Sequence, residues 1–199
     1  LDMFSGRGTT AITSLYLERR FIGFELNELS NQKSREVIKK HLDVEDDRWN
    51  IFDGDGCDMH QLKDEIQIID AVFTSPPYYS QAESYSDDER DLCNLSIEQF
   101  DERIYVMFSN LKRLLKRSDY EKKIFHPAIF TVGTSRKGKL GISDMTHTFQ
   151  QIAKENGFTF WDQIFINQNN PHLVSSLGRN YEHRYVNKNY ESQIAFVQF

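Results

Sequence analysis

Apolar stretches of strand length alternate along this chain with segments of helical periodicity, and this alternation limits the folds open to it. Strands are expected at residues 1–5, 21–25, 50–53, 70–74, 128–133, 159–166 and 192–197, and helices at 9–18, 30–42, 97–116 and 144–156. The helix at 97–116 has the clearest apolar stripe, formed by Phe100, Ile104, Met107, Leu111 and Leu114. Helices between successive strands are typical of a doubly wound fold. We therefore expect an α/β protein with a seven-stranded, mostly parallel sheet.

The composition excludes several classes of protein. The chain has 199 residues, with 24 Lys and Arg against 30 Asp and Glu, and a formal net charge of −6. This charge argues against a nonspecific nucleic-acid coat and against a polybasic membrane binder, but it leaves room for a local basic patch that contacts DNA. The sequence contains neither an apolar run near the ~18 residues of a membrane span nor an N-terminal signal pattern. We therefore expect no membrane partner.

Cysteine and proline usage predict a cytoplasmic protein of one domain. Cys57 and Cys93 are the only cysteines, which fits a reduced cytosol and excludes a disulfide scaffold. Two cysteines without a CxxC pattern, and no cluster of His and Asp at ligand spacing, predict that there is no metal site. The four prolines, at positions 76, 77, 127 and 171, mark no linker. We expect a single domain over residues 1–199.

A glycine-rich turn, DMFSGRGTT at residues 2–10, connects the first expected strand to the first helix. Gly6 and Gly8 lack a Cβ, so a ligand can approach the backbone closely, and the start of the helix offers unpaired amides. The segment matches the dinucleotide pattern GxGxxG poorly and lacks the Lys of a phosphate-binding loop. An ordinary tight turn between strand and helix is the alternative.

An acidic residue lies at or just after the end of each of the next two expected strands. Glu25 ends the second strand, FIGFE, roughly twenty residues after the glycine turn, where a carboxylate can accept hydrogen bonds from both hydroxyls of a ribose. A solvated acid at a strand end is the alternative. Asp55 follows the third strand in the segment FDGDGCDM, with Asp53 and Asp58 as close rivals. Turns rich in Asp and Gly are also common for structural reasons alone.

The segment FTSPPYY lies at the end of the fourth expected strand. Pro76 and Pro77 end that strand abruptly and stiffen the backbone at the carboxyl edge of the sheet. The hydroxyl of Ser75, the carbonyl of Pro76 and the ring of Tyr78 would together suit a planar ring that carries an amine. A proline-rich turn with tyrosines in the core is the alternative interpretation.

Together these motifs resemble the DNA amino-methyltransferases, which use S-adenosylmethionine to methylate N4 of cytosine or N6 of adenine, and the resemblance covers nearly the whole chain. LDMFSGRGTT resembles the cofactor turn of that family, commonly D-P-F-x-G-x-G-T, with Met3 where Pro is usual. FIGFE resembles its ribose-binding strand, and Gly54 with Asp55 resembles its adenine-contacting turn. FTSPPY resembles its catalytic loop, (D/N/S)-P-P-(Y/F/W). The serine form, preceded by Thr, is similar to the N4-cytosine subgroup.

The resemblance implies a Rossmann-like methyltransferase fold whose last strand is antiparallel, with S-adenosylmethionine as the cofactor. It implies DNA methylation of the restriction–modification type, at the N4 amine of a flipped cytosine, with Ser75, Pro76, Pro77 and Tyr78 as catalytic residues. Asp2 would face the amino end of the cofactor, Glu25 its ribose and Asp55 its adenine amine. The expected cofactor-binding residues are Asp2, Phe4, Gly6, Gly8, Thr9, Glu25 and Asp55.

DNA contacts are expected from local basic residues. These are Arg136, Lys137 and Lys139 after the fifth strand, and Arg179 and Arg184 in the irregular stretch 167–189. The basic run between positions 112 and 123 is interpreted as a solvated helix end, where cations suit the helix dipole. The acidic stretch between positions 83 and 91 is expected to be mobile or turned away, because it would repel DNA.

Other functions remain open at this point. An N6-adenine DNA methyltransferase is the first rival, because serine in the loop is only a tendency of the cytosine subgroup. An RNA base methyltransferase would carry an extra RNA-binding domain, and a catalytically silent DNA-binding subunit would have no reason to keep both motifs. The sequence shows neither the segment that precedes the glycine turn in the family nor a separate target-recognition domain. We expect a second copy in a homodimer, a partner subunit or residues before Leu1 to supply target recognition.

Overall fold

The computed structural model describes residues 1–77, 87–136, 142–167 and 190–199, and within them it contains helices and strands in alternation. The helices are α1 (Thr9–Tyr16), α2 (Glu28–His41), α3 (Ile97–Leu114) and α4 (Met145–Glu155). The strands are β1 (Phe21–Glu25), β2 (Trp49–Asp53), β3 (Val72–Thr74), β4 (Ala128–Val132), β5 (Thr134–Arg136), β6 (Ile142–Asp144), β7 (Thr159–Asn167) and β8 (Tyr190–Val197). Within these ranges no helix combines the length and the apolar content that crossing a membrane requires.

Capping residues set the positions at which α2 and α3 begin. α2 begins two residues before the expected position, because the N-cap is Asn27 and not Ser30 or Asn31; its side-chain oxygen accepts a hydrogen bond from the Ser30 amide at 3.0 Å. α3 begins where the sequence predicts, at a reciprocal capping box between Ser96 and Gln99.

The strands form three groups in the described residues. β1 pairs in parallel with β2, and β3 pairs in parallel with β4. β8 lies antiparallel between β4 and β7, so the described order is β3-β4-β8-β7 and the expected antiparallel last strand is confirmed. β5 and β6 form a small antiparallel hairpin that the sequence analysis did not predict. The expectation of one seven-stranded sheet is therefore confirmed only in part, as an α/β fold with separately assigned sheets.

The first residues connect the β1–β2 pair to the four-stranded sheet. The expected strand at 1–5 is reduced to a parallel bridge between Asp2 and Gly23. On one side the Asp2 amide donates to the Ile22 carbonyl at 2.9 Å, and on the other the Phe73 amide donates to the Leu1 carbonyl at 3.1 Å. These hydrogen bonds place residues 1–2 between β1 and β3, so that the carboxyl ends of β1, β2 and β3 point the same way.

A cluster of phenylalanines on α3, α4 and the central strands forms the core behind this edge. The five apolar residues predicted on α3 are all buried. Phe108, also on α3, lies with its ring centroid 5.2 Å from that of Phe130 on β4, 5.9 Å from Phe149 on α4 and 5.6 Å from Phe196 on β8. Such aromatic contacts add to the free energy gained by burying apolar area. The packing therefore fixes β4, which lies beside the predicted catalytic segment.

Candidate functional site

A cleft of about 460 Å³ opens at the carboxyl ends of β1, β2 and β3. Ligands of open α/β sheets bind at such an edge, and cofactor pockets commonly have volumes of this order. The cleft brings together the glycine turn, the end of β1, the turn after β2 and the predicted catalytic segment. It is lined by Met3, Phe4, Gly6, Arg7, Glu25, Leu26, Asn27, Ser30, Asp55, Gly56, Ser75, Pro76, Pro77, Arg90, Asp91 and Leu92.

The two glycines of the turn have different surroundings. Both have a left-handed backbone, with φ of +52° at Gly6 and +80° at Gly8. A Cβ built at Gly6 would meet no protein atom within 4 Å, whereas one at Gly8 would lie 3.0 Å from the Cβ of Ser34. Ser34, on α2, also donates a hydrogen bond to the Gly6 carbonyl at 2.9 Å. Gly6 therefore leaves open space at the cleft, and Gly8 permits close packing of the turn against α2.

The Glu25 carboxylate is held in a fixed orientation at the end of β1. Its Oε2 accepts a hydrogen bond from the Gly6 amide at 2.6 Å, and its Oε1 accepts one from the Asn27 amide at 2.8 Å. Burial raises the pKa of Glu25 above its ordinary value, and these two hydrogen bonds oppose the rise. Because a carboxylate oxygen can accept more than one hydrogen bond, both oxygens retain capacity for a ligand.

The turn after β2 is anchored by an ion pair to α3. Asp55 is buried, its Oδ1 accepts from the Cys57 amide at 2.8 Å, and its Oδ2 is paired with the Arg103 guanidinium. The next residue, Gly56, lies so close to the glycine turn that a Cβ there would be 1.8 Å from the carbonyl oxygen of Met3. The structure thus places Asp55 in the cleft wall, with its charge already balanced by a cation.

The rival acids of that turn lie away from the cleft lining. Asp53 contacts Asn31 and Arg35 of α2. Asp58 is exposed and lies 3.9 Å from His60. Of the three acids considered from the sequence, only Asp55 therefore lines the cleft in the described part of the chain.

The predicted catalytic segment forms another wall of the same cleft. Ser75, Pro76 and Pro77 line it, and Tyr78 lies outside the described residues. The Ser75 hydroxyl is exposed and donates a long hydrogen bond of 3.4 Å to the carbonyl of Thr131 on β4. A hydroxyl whose proton is directed toward a carbonyl presents its lone pairs to other groups.

Asp2 lies behind the turn and does not line the cleft. Its Oδ1 accepts hydrogen bonds from the Phe4 amide at 3.1 Å and from the Thr74 hydroxyl at 2.6 Å. Burial raises the pKa of Asp2 above its ordinary value. Gly8 and Thr9 are also absent from the lining in the described chain, whereas Phe4, Gly6, Glu25 and Asp55 contribute to it. Cofactor contacts by Asp2, Gly8 and Thr9 stay predictions.

Two lining residues, Arg90 and Asp91, come from the acidic stretch that was expected to be mobile or turned away. Asp91 is 3% exposed, caps a short 3-10 turn by accepting from the Cys93 amide at 3.1 Å, and lines the cleft beside Leu92. Arg90 also lines it and pairs with Asp88 at 2.7 Å; hydrogen bonds from Arg90 lower the pKa of Asp88 to about 2. The expectation is therefore wrong for Asp91. Its only sequence signal is the N-cap pattern, which says nothing about a ligand.

Most of the predicted DNA-binding residues fall outside the description. Lys137, Lys139, Arg179 and Arg184 are not among the described residues. Arg136 ends β5, whose backbone alone is described. DNA binding by these five residues stays a prediction.

The basic run that begins in the last turn of α3 makes contacts with residues outside the cleft lining. Lys116 pairs with Asp70 at 2.7 Å, and Arg113 donates to the Leu62 carbonyl at 2.7 Å. Arg117 donates to the backbone carbonyl of Phe199 at 2.8 Å. Lys112 and Arg113 lie in the last turn of α3, as the interpretation of this run as a helix end predicts.

Comparison with known proteins identifies the fold. No protein-family model and no curated protein matches the chain, but solved structures do. A candidate DNA modification methylase from Thermus thermophilus is 14% identical over 71% of this chain and 51% of its own, with a TM-score of 0.49. The chain thus spans about half the length of that protein.

Two other structures match over almost the whole chain. Magnesium protoporphyrin IX methyltransferase from Synechocystis PCC 6803, solved with bound S-adenosylmethionine, is 13% identical over 100% of this chain and 68% of its own, with a TM-score of 0.57. The [4+2]-cyclase SpnF is 9% identical over 99% and 74%, with a TM-score of 0.60. The chain therefore has the Rossmann-like fold of S-adenosylmethionine-dependent methyltransferases. Because a cyclase shares that fold, the fold does not assign the reaction.

Proposed function

We propose that this protein is an S-adenosylmethionine-dependent DNA methyltransferase that transfers a methyl group to the N4 amine of a flipped cytosine. One observation carries the proposal. Ser75, Pro76 and Pro77, from the segment that resembles the catalytic loop of the amino-methyltransferases, line the same cleft as Gly6 and Glu25. Motifs about 70 residues apart in the sequence thus meet at one edge of the sheet.

The residues of the cleft fit S-adenosylmethionine. Gly6 leaves space for close approach to the backbone, and the oriented carboxylate of Glu25 can accept hydrogen bonds from the two ribose hydroxyls. Leu26 and Leu92 line the cleft and would provide apolar contacts for the adenine ring, and Asp55 would accept from its amine. When bound, this cofactor supplies an electrophilic methyl group on a sulfonium sulfur.

The catalytic segment would act by orienting and stabilising the target amine. The lone pair of the cytosine N4 amine is delocalised into the ring, which makes the amine a poor nucleophile. Hydrogen bonds from this amine to Ser75 Oγ and to the Pro76 carbonyl favour a tetrahedral nitrogen and stabilise the positive charge that develops on it. Tyr78 would stack on the flipped base, worth ~1–3 kcal/mol. This mechanism needs no cysteine nucleophile, and Cys57 and Cys93 are both buried.

The choice of base and polymer belongs to the same proposal. The serine form of the loop supports cytosine over adenine, and the N6-adenine reaction is the first alternative. Target recognition would need a second copy of the chain, a partner subunit or residues before Leu1. A sequence-specific interface buries roughly 1,000 Å² or more of protein surface, and the irregular stretch 167–189 contains only two arginines.

The test is identification of the methylated nucleoside. The protein is incubated with S-adenosylmethionine and plasmid DNA, the DNA is digested to nucleosides, and the methylated nucleoside is identified by mass spectrometry. N4-methylcytosine is the expected product. N6-methyladenine would move the assignment to the other subgroup, and methylation of RNA alone would refute a DNA enzyme. Tyr78→Ala should abolish most of the product while cofactor affinity stays within about threefold, because this ring is assigned to the base.

A further inference from the structure

Asp91 occupies a position in the cleft that the sequence motifs do not explain. It is 3% exposed, it follows the catalytic segment in the chain, and it lines the same cleft as Glu25. Its Oδ1 accepts a hydrogen bond from the Cys93 amide at 3.1 Å, which fixes the carboxylate at the start of a short 3-10 turn. A carboxylate fixed in the wall of the cleft in this way interacts electrostatically with any charged group of a bound ligand.

The other charged residues of the cleft differ in how their charge is balanced. Asp55 is paired with Arg103 on α3, and Arg90 with Asp88. Arg7 is a further cation in the lining, so Asp91 is one of several charges that act on a ligand there. Among the described residues, no cation forms an ion pair with Glu25. Burial is the main cause of the raised pKa of Glu25, but the negative charges of Asp2 and Asp91 contribute to it. The charge of Asp91 is therefore felt at Glu25, and a cation bound near both would relieve their repulsion.

The proposed cofactor and its product differ in charge. S-adenosylmethionine carries a sulfonium, an ammonium and a carboxylate group, and hence one net positive charge. Loss of the methyl group converts the sulfonium into a neutral thioether, so that S-adenosylhomocysteine has no net charge. A cleft with negative charge close to the ligand favours the first molecule over the second.

We infer that Asp91 is a specificity-determining residue that, together with Glu25, makes the cleft bind cationic S-adenosylmethionine in preference to the neutral demethylated product. This inference rests on the proposed function, because it concerns the same cofactor. This preference would favour replacement of bound S-adenosylhomocysteine by S-adenosylmethionine after each methyl transfer.

The test is calorimetric titration of the full chain with S-adenosylmethionine and, separately, with S-adenosylhomocysteine. Asp91→Asn removes the charge but keeps an oxygen that can accept from the Cys93 amide. The expected result is that affinity for S-adenosylmethionine falls about tenfold, as for one partly screened charge, while affinity for the product changes less than about threefold. Asp58→Asn is the matched control, because Asp58 is an exposed acid outside the cleft lining and should leave the ratio unchanged.

Other outcomes would overturn the inference. Equal loss of both ligands in Asp91→Asn would show a structural role, and unchanged affinities would show no role at all. If Asp91→Asn does not fold, Asp91→Ser serves as a second uncharged variant, because serine also caps helical turns. A wild-type chain that binds neither molecule would refute the proposed function, and this inference with it. Binding of both molecules with equal affinity would refute the inference alone.

Discussion

The two glycines of the turn should respond in opposite ways to the same substitution. Gly6→Ala places a methyl group where no protein atom lies within 4 Å, at a residue that lines the cleft. Gly8→Ala places it 3.0 Å from the Cβ of Ser34, in the packing between the turn and α2. We therefore expect Gly6→Ala to impair cofactor binding more than stability, and Gly8→Ala to impair stability more.

The magnitudes follow from backbone conformation and packing. A side chain at positive φ costs about 1–2 kcal/mol, and replacing Gly with Ala returns about 0.4–1 kcal/mol through the unfolded state. Gly6→Ala should therefore lower the free energy of unfolding by about 1 kcal/mol. For Gly8→Ala, overpacking against Ser34 adds about 1–3 kcal/mol. In the cleft, a steric penalty of about 1–3 kcal/mol between the new methyl group at position 6 and the bound cofactor corresponds to a roughly 5-fold to 150-fold loss of affinity.

The assay combines urea unfolding without ligand and calorimetric titration with S-adenosylmethionine, for both variants and the wild type. The diagnostic quantity is the ratio of affinity loss to stability loss, which should be high for Gly6→Ala and low for Gly8→Ala. If Gly6→Ala binds the cofactor as tightly as the wild type, the cofactor does not lie against this turn. If both variants lose stability equally, the assigned packing of the turn is incorrect.

Three further predictions concern the neighbours of this turn. Thr74→Val removes the hydroxyl that donates to the buried carboxylate of Asp2 and should lower the free energy of unfolding, measured by urea titration, by about 1.5–3 kcal/mol. The control Thr13→Val, at an exposed position of α1, should change the free energy of unfolding by less than about 0.5 kcal/mol. Equal losses in the two variants would contradict the argument. Burial raises the pKa of Glu25 above its ordinary value of 4.5, so this ribose acceptor should become protonated, and cofactor binding should weaken, as the pH falls through a value above 4.5. Calorimetry across pH should show this dependence in the wild type but not in Glu25→Gln. A flat wild-type profile would exclude Glu25 from binding. Ser75→Ala should lower the rate constant of methyl transfer about a hundredfold in single-turnover assays, with cofactor affinity within about threefold, because the serine is proposed to stabilise the transition state. Parallel losses of rate and affinity would indicate a structural role for the loop.

The parts of the fold that were predictable are those with strong local signals. The apolar stripe of α3 has one interpretation at helical spacing, and all five of its residues are buried. Glu25 and Ser75 could be predicted to lie close together because Glu25 ends one apolar strand, Ser75 directly follows another, and parallel strands bring such ends to one edge. β5 and β6 gave no such signal, since they are three-residue strands in a polar segment.

The parts that could not be predicted depend on tertiary contacts. Asn27 caps α2 in place of Ser30, because the capping geometry follows from how the chain leaves β1. Arg103 neutralises Asp55 only because α3 packs beside the turn after β2. Asp91 enters the cleft because the chain returns to it after the catalytic segment. Charge alone suggested that the acidic stretch would turn away, but the Asp91 carboxylate is buried and is held in place by the hydrogen bond that it accepts from the Cys93 amide.

Asp2 has a structural role that the sequence motif does not indicate. The sequence places it at the start of the glycine turn and predicts a contact with the cofactor. In the structure its amide and carbonyl bond to β1, and its carboxylate bonds to the Thr74 hydroxyl, 72 positions away in the sequence. Since Thr74 immediately precedes Ser75, this buried carboxylate joins the turn proposed to hold the cofactor to the segment proposed to hold the target amine. A displacement of either element would leave a buried carboxylate with one fewer donor, which costs free energy. Asp2 therefore links the glycine turn to the end of β3 through its own hydrogen bonds.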